Sequence, residues 1–461
     1  MKRFIPFLAA FALGGVIIGL VVHAQSRVTQ QRLKRELGQQ KISRDGKLLG
    51  LNRSSKPTQA TRLADLEGKL LGQGLTEDEV AKVIGRMGVS ASPEEIIDDL
   101  IWLAEQLNTQ KSDDQHRLFI RQVIRQFEAL TAIEREALPE IKAFLDELEE
   151  VIFRENTNEL TSGNWRDGRI YFDPIFPPTM RIGLFNTVRR IGKNNEKAKI
   201  EAENVLLSTL SNTTRGLEVF YITQALEDLS GEKHKDAILR EAKYLLQNPP
   251  ETEKNENALY RRHRTWLYDL LRKYKDETYV EQAQSELLVE NQRKDKEGNT
   301  VTTLELDSAA MRYITEVLGE RAMPILRPIY EQNPELSDGA RSAIRRVAAS
   351  NMGRSSDADA ITTSRFQEGL RMMSKTEDKN SVGRGNGLVK YYLTALTSGR
   401  GASKENIGNR RQYLSSLRSQ TQNTEVHAMM DKVDKRLVTM LDPEKAKKLE
   451  RFSLDNREKR R

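Results

Sequence analysis

The feature that most restricts this chain is the recurrence, from Ala198 to Ser350, of apolar residues at helical spacing in segments none of which can bury its own stripe. Arg321 to Ser350 shows it most clearly. Ile325, Leu326, Ile329 and Tyr330 share one face of a first segment, and Asn333-Pro334 breaks it. A second segment carries Ala340, Ala343, Ile344, Val347 and Ala348 at i, i+3, i+4, i+7, i+8, with Arg341, Arg345 and Arg346 off that stripe. A helix with one apolar stripe must cover it against another helix, and a succession of such stripes is satisfied by stacked pairs, each covering its neighbour.

The same rhythm precedes this unit. Ala198, Ala202, Val205, Leu206 and Leu210 mark one helix, and Leu259, His263, Trp266, Leu267, Leu270, Leu271 and Tyr274 form the most regular stripe in the chain. Val280, Ala283, Leu287 and Leu288 follow, then a polar loop from Asn291 to Thr303, then a further helix from Leu306. Pair starts near Thr214, Asn255 and Leu306 recur at about 41 and 51 residues. With Pro324 ahead of Ile325-Leu326, a short turn, and a second helix carrying Arg341 and Ala343, residues 321–350 resemble a HEAT/armadillo-like helical repeat. The preceding hundred residues share only the period. The resemblance implies an α-solenoid with a surface for partners and no catalytic residues.

Around this array, residues 181–350, the chain divides further. Residues 61–159 read as an N-terminal helical domain, opened by the capping boxes Thr76/Glu79 and Ser92/Glu95. Residues 160–180 hold an Asp167-Gly168 turn signal, three prolines and the aromatics Trp165, Tyr171 and Phe172, so a short hairpin or packed loop is expected, with strand confined to about 165–172. Small polar residues at 351–364 predict a hinge. Residues 365–450 read as a C-terminal helical module, in which Val426, Met430, Val433, Leu437 and Met440 have coiled-coil spacing but too few heptads to stand alone, and 451–461 as a basic tail. The expected fold class is therefore all-α: a helical-repeat (α-solenoid, HEAT-like) array with N-terminal and C-terminal helical modules and one short hairpin or loop insertion.

Residues 1–26 place Lys2-Arg3 before nineteen largely apolar residues, Phe4 to Val22, which read as a signal peptide or an N-terminal membrane anchor. The length fits a spanning helix, whereas Val22-His23-Ala24 fits cleavage after Ala24; both readings stay open. Gly15 and Gly19 have the GxxxG spacing that lets two spanning helices pair in a homodimer. The cations after the span would hold the body in the cytoplasm, while the short basic leader is the layout of export. The balance favours a membrane-anchored or secreted, periplasmic-type location with an extracytoplasmic body.

The net charge of +7 sits almost wholly beside that segment. Residues 27–60 hold nine Lys/Arg against two acids, which with Lys2 and Arg3 leaves −2 for everything from Thr61 onward. A nucleic-acid surface on the body is disfavoured. The basic stretch reads as a disordered tether able to rest on anionic lipid.

Chemistry-bearing motifs are scarce. The five histidines stand apart, and His263, on an apolar stripe, reads as a packing residue. Asp295, Glu297 and Asn299 echo a calcium loop but lack its Gly and final Glu. Gly383 to Gly387, "GRGNG", precedes an apolar helical pattern and reads as a flexible helix start whose bare N–H groups suit an anion. No cofactor or metal is expected. The leading function is a non-catalytic protein-binding scaffold, with Arg341, Arg345 and Arg346 as candidate partner-binding residues and Trp165, Tyr171 and Phe172 as a binding lip. The alternative is a cell-envelope enzyme, glycosidase-like, with a carboxylate pair assembled only by the tertiary fold.

Overall fold

A computed structural model describes residues 92–109, 113–153, 176–250, 262–294, 299–375, 378–398, 403–449 and 452–454. The apolar N-terminal stretch, the basic tether, Thr76/Glu79, the aromatic trio Trp165, Tyr171 and Phe172, and Asp295 with Glu297 lie outside them. The described chain is mostly helical with one two-stranded sheet, and it divides into two compact units between Tyr274 and Lys275. None of its helices is long and apolar enough to cross a membrane.

The first unit holds α1 (Pro93–Thr109), α2 (Asp113–Ile133), α3 (Leu138–Asp146), α4 (Met180–Asn194), α5 (Glu196–Asn212), α6 (Gly216–Ser230), α7 (Lys235–Gln247) and α8 (His263–Lys273). Local chemistry sets their starts. Ser92 Oγ accepts from the Glu95 N–H (3.3 Å) while Glu95 Oε2 accepts from the Ser92 N–H (2.9 Å), the reciprocal box expected from the sequence. Thr179 caps α4 through the Ile182 N–H, and Asn195, between α4 and α5, caps the latter through the Lys197 N–H. The predicted stripes point inward, with Ala198, Leu206, Leu267 and Leu270 buried, and Leu100, Leu103, Ile141 and Leu145 of the N-terminal helices are buried as well. Each helix packs on neighbours one or two places along the chain, as α4 does on α5 and α6. On either side of residues 154–175 the chain is pinned together, with the Phe153 N–H donating to Pro178 O (3.0 Å) and the Met180 N–H to Val151 O (2.8 Å).

The second unit contains α9 (Val280–Ser285), β1 (Leu288–Lys294), β2 (Thr300–Leu306), α10 (Ser308–Leu318), α11 (Met323–Gln332), α12 (Asp338–Ser350), α13 (Ser356–Met373), α14 (Lys379–Ala395), α15 (Lys404–Arg418), α16 (Thr424–Met440) and α17 (Pro443–Lys447). β1 and β2 pair antiparallel with Leu288 opposite Leu306 and Lys294 opposite Thr300. Three expectations are corrected here. The stretch read as a polar loop, Asn291 to Thr303, lies largely in this hairpin, and strand is not confined to 165–172; its residues are mostly exposed, so no apolar stripe announced it. The hinge at 351–364 is helical from Ser356, because Ala358, Ile361 and Phe366 bury a face of α13. "GRGNG" is interior to α14 rather than a helix start. A Cβ at Gly385 would stand 2.6 Å from the Gly369 carbonyl oxygen, so these two glycines let α13 and α14 touch backbone to backbone. Val426, Met430, Val433 and Leu437 pack into the module core with Phe366, Tyr392 and Leu417, as their short heptad run implied.

Candidate functional site

In the first unit a buried charge network fixes the helices that carry the candidate site. Arg181, on α4, is fully buried and donates from Nε (2.7 Å) and Nη2 (3.0 Å) to both oxygens of Glu218 on α6, and from Nη1 to the Leu145 carbonyl (2.9 Å). Glu218 also accepts from Thr213 Oγ1 (2.7 Å) and Arg215 Nη1 (2.9 Å), and Arg215 reaches Glu150 (2.7 Å). Burial alone would raise the Glu218 carboxyl; the two guanidiniums and the Thr213 hydroxyl overcome it and hold it down at about 2. Next to this network His263 Nδ1 accepts from the Gly216 N–H (3.0 Å), while Nε2 faces the Leu245 carbonyl (3.4 Å). Burial lowers the imidazole to about 4, so it is neutral near pH 7, with Nδ1 as acceptor and Nε2 as donor. This is the packing histidine expected from its stripe.

Against that frame α2, α4 and α6 leave a pocket of about 330 Å³. Its walls are apolar: Ile124 and Phe127 from α2, Pro177 and Pro178 from the strap before α4, and Ile182 from α4. Gly183 makes the wall flush, since a Cβ there would lie 2.2 Å from Phe127 Cζ. Tyr221, half-buried and with its hydroxyl pushed up by burial, closes the α6 side. The rim is polar. Arg189 is held by Asn186 Oδ1 (3.2 and 2.7 Å) and by Asp228. Its neighbour Arg190 is half-buried, and Glu128 across the pocket is exposed; neither has an ion-pair partner among the described residues. The pocket falls at the lower end of ligand-pocket volumes, room for about two apolar side chains. Ile182 also packs on Trp266 beneath the wall.

The second unit holds the predicted arginines of α12. Arg341 is committed internally: Nε donates to Leu336 O (3.2 Å), Nη1 to Tyr330 O (3.2 Å) and Nη2 to Asn333 O (2.6 Å), with the guanidinium over the Tyr330 ring. It closes the C-terminus of α11. Arg345 is half-buried and near enough to Tyr392 to act on its hydroxyl, and Arg346 is exposed; neither has an ion-pair partner among the described residues. Sequence reasoning missed Arg181, Arg190 and the whole pocket, whose walls come from segments far apart in the chain. A basic residue inside a helical pattern reads as solvated, and only Arg181's place on an otherwise apolar face gave a signal. Among the described residues, no group of three or more His, Asp or Glu is placed to hold a metal ion.

Among the described residues, fold and site together define a mostly helical protein of two units with one hairpin and an apolar pocket edged by a guanidinium that has no ion-pair partner there. No family model and no curated protein matches the chain.

Proposed function

We propose that the chain is a protein-binding scaffold built from HEAT-like helix pairs and delivered to a membrane by its N-terminal segment, with the body on the extracytoplasmic side. The packing of helices on neighbours one or two places along the chain supports the repeat reading within each unit. The single observation that carries the binding role is Arg190, a guanidinium beside an apolar pocket with no ion-pair partner among the described residues. A partner segment that inserts one or two apolar side chains past Ile182 and Phe127 would offer a neighbouring carboxylate to Arg190. Glu128 then favours a basic residue on the other flank. Arg345 and Arg346 are a second acid-facing patch on the same reading.

The experiment is a fluorescence titration of the full chain in mild detergent with short peptides of the pattern acid–apolar–apolar–base. Trp266, packed behind Ile182, supplies the signal. Binding should be saturable and should weaken at least tenfold in Arg190→Glu. Equal binding to the scrambled peptide, or no change in the variant, refutes the pocket as the docking point.

A further inference from the structure

The hairpin has a second edge. Leu304, in β2, uses its own N–H and C=O away from β1: the N–H donates to Glu335 O (3.1 Å) and the carbonyl accepts from the Ser337 N–H (2.9 Å). Opposite residues of an antiparallel pair alternate between exchanging both hydrogen bonds and turning both away, so Glu290, the partner of Leu304, also turns its N–H and C=O outward. By the same alternation Leu288, Gln292 and Lys294 face out along β1, and these outer groups have no backbone partner among the described residues. β2's outer side is engaged by residues 335–337; among the described residues β1's is open. Val289 and Val301 are exposed, at 46% and 37%. A two-stranded hairpin is marginal in water, and an open edge is a template for another strand.

We propose that β1 pairs antiparallel with β1 of a second copy of this chain, joining two hairpins into one four-stranded sheet. Charge selects this occupant and its register. With Gln292 on the two-fold axis, Gln292 faces Gln292 and Glu290 faces Lys294 in both directions, so an acid meets a base twice. Each of these facing residues is one whose backbone groups point outward, so the hydrogen-bond phase and the charge pattern agree. A shift of the axis to Asn291 would set Leu288 against Lys294 and lose both charge pairs. The edge charges that guard β1 against unrelated strands thus become complementary towards a copy of itself.

The chain has no cysteine, which makes the register directly testable. In the full chain in mild detergent, Gln292→Cys should give an intermolecular disulfide on mild oxidation, because facing residues of a hydrogen-bonded pair have Cα atoms about 5.5 Å apart. Asn291→Cys should not. Sedimentation of the cysteine-free chain should show a concentration-dependent dimer that Gln292→Pro weakens at least tenfold, since that proline removes an outward N–H and leaves the β1–β2 ladder intact. Glu290→Lys should weaken the dimer, and Glu290→Lys with Lys294→Glu should restore it. Pairing through the N-terminal GxxxG would ignore all of these changes. A monomer at every concentration, a dimer insensitive to Gln292→Pro, crosslinking at 291 instead of 292, or capture of a different protein's strand at this edge would overturn the proposal.

Discussion

Arg181→Met tests the buried network on which the first unit is built. The change removes the donors that Glu218 receives from Nε and Nη2 and the one on Leu145 O, but leaves Glu218 with Arg215 and Thr213. Breaking one side of a buried ion pair costs about 3–5 kcal/mol, and the remaining donors place this change near 3 kcal/mol. Glu218→Leu should cost more, because Arg181, 0% exposed, keeps no carboxylate, only the Leu145 carbonyl and the Phe185 ring face. The double change, Arg181→Met with Glu218→Leu, should cost less than either, since it leaves no orphaned charge. All tryptophans, at 102, 165 and 266, precede Lys275, so urea unfolding followed by tryptophan fluorescence reports the first unit alone. The pH dependence separates charge from packing. Glu218 is held at about 2, below its ordinary 4.5, so its contribution is complete above about pH 4.5 and is lost as pH falls toward 2. In Arg181→Met that carboxyl titrates higher, and the gap to wild type should narrow as the pH drops from 7 toward 3. A gap below about 1 kcal/mol at pH 7, or one that stays constant with pH, would refute the reasoning and assign the effect to lost packing.

Other outcomes follow from the same geometry. His263 is lowered to about 4 by burial, so the stability it contributes is complete above about pH 6.5 and is lost as pH falls toward 4, by up to about 3 kcal/mol; His263→Gln should flatten that limb of the first unit's stability profile. Gly385→Ala should destabilise the second unit by about 1–3 kcal/mol, because its Cβ meets the Gly369 carbonyl. Gly387→Ala, with nothing within 4 Å, should stabilise it by up to about 1 kcal/mol through helix propensity; thermal unfolding followed by circular dichroism distinguishes the pair. Leu270→Asp, at a position 1% exposed, should cost several kcal/mol in the tryptophan assay.

The helices were legible because burial writes itself into periodicity: Trp266, Leu267, Leu270 and Leu271, or Ala340, Ile344 and Ala348, could be assigned to a buried face from spacing alone. The hairpin was not, because β1 and β2 are held by a backbone ladder, with most side chains in solvent, and a ladder leaves no trace in hydropathy. "GRGNG" misled for a related reason. Glycine marks flexibility in an isolated segment, yet Gly385 is placed where another backbone arrives, and only the tertiary fold shows which applies. The pocket lay further out of reach, since Phe127, Pro178, Ile182 and Tyr221 are brought together by contacts between helices that the sequence does not order in space.

The closure of α11 by Arg341 bears on how the second unit holds together. One planar guanidinium on α12 gathers three carbonyls from the end of α11 and the turn that follows. All three bonds are anchored on a single rigid group, so they share one point of failure. The junction is a clasp: replacing Arg341 alone would release the three carbonyls together.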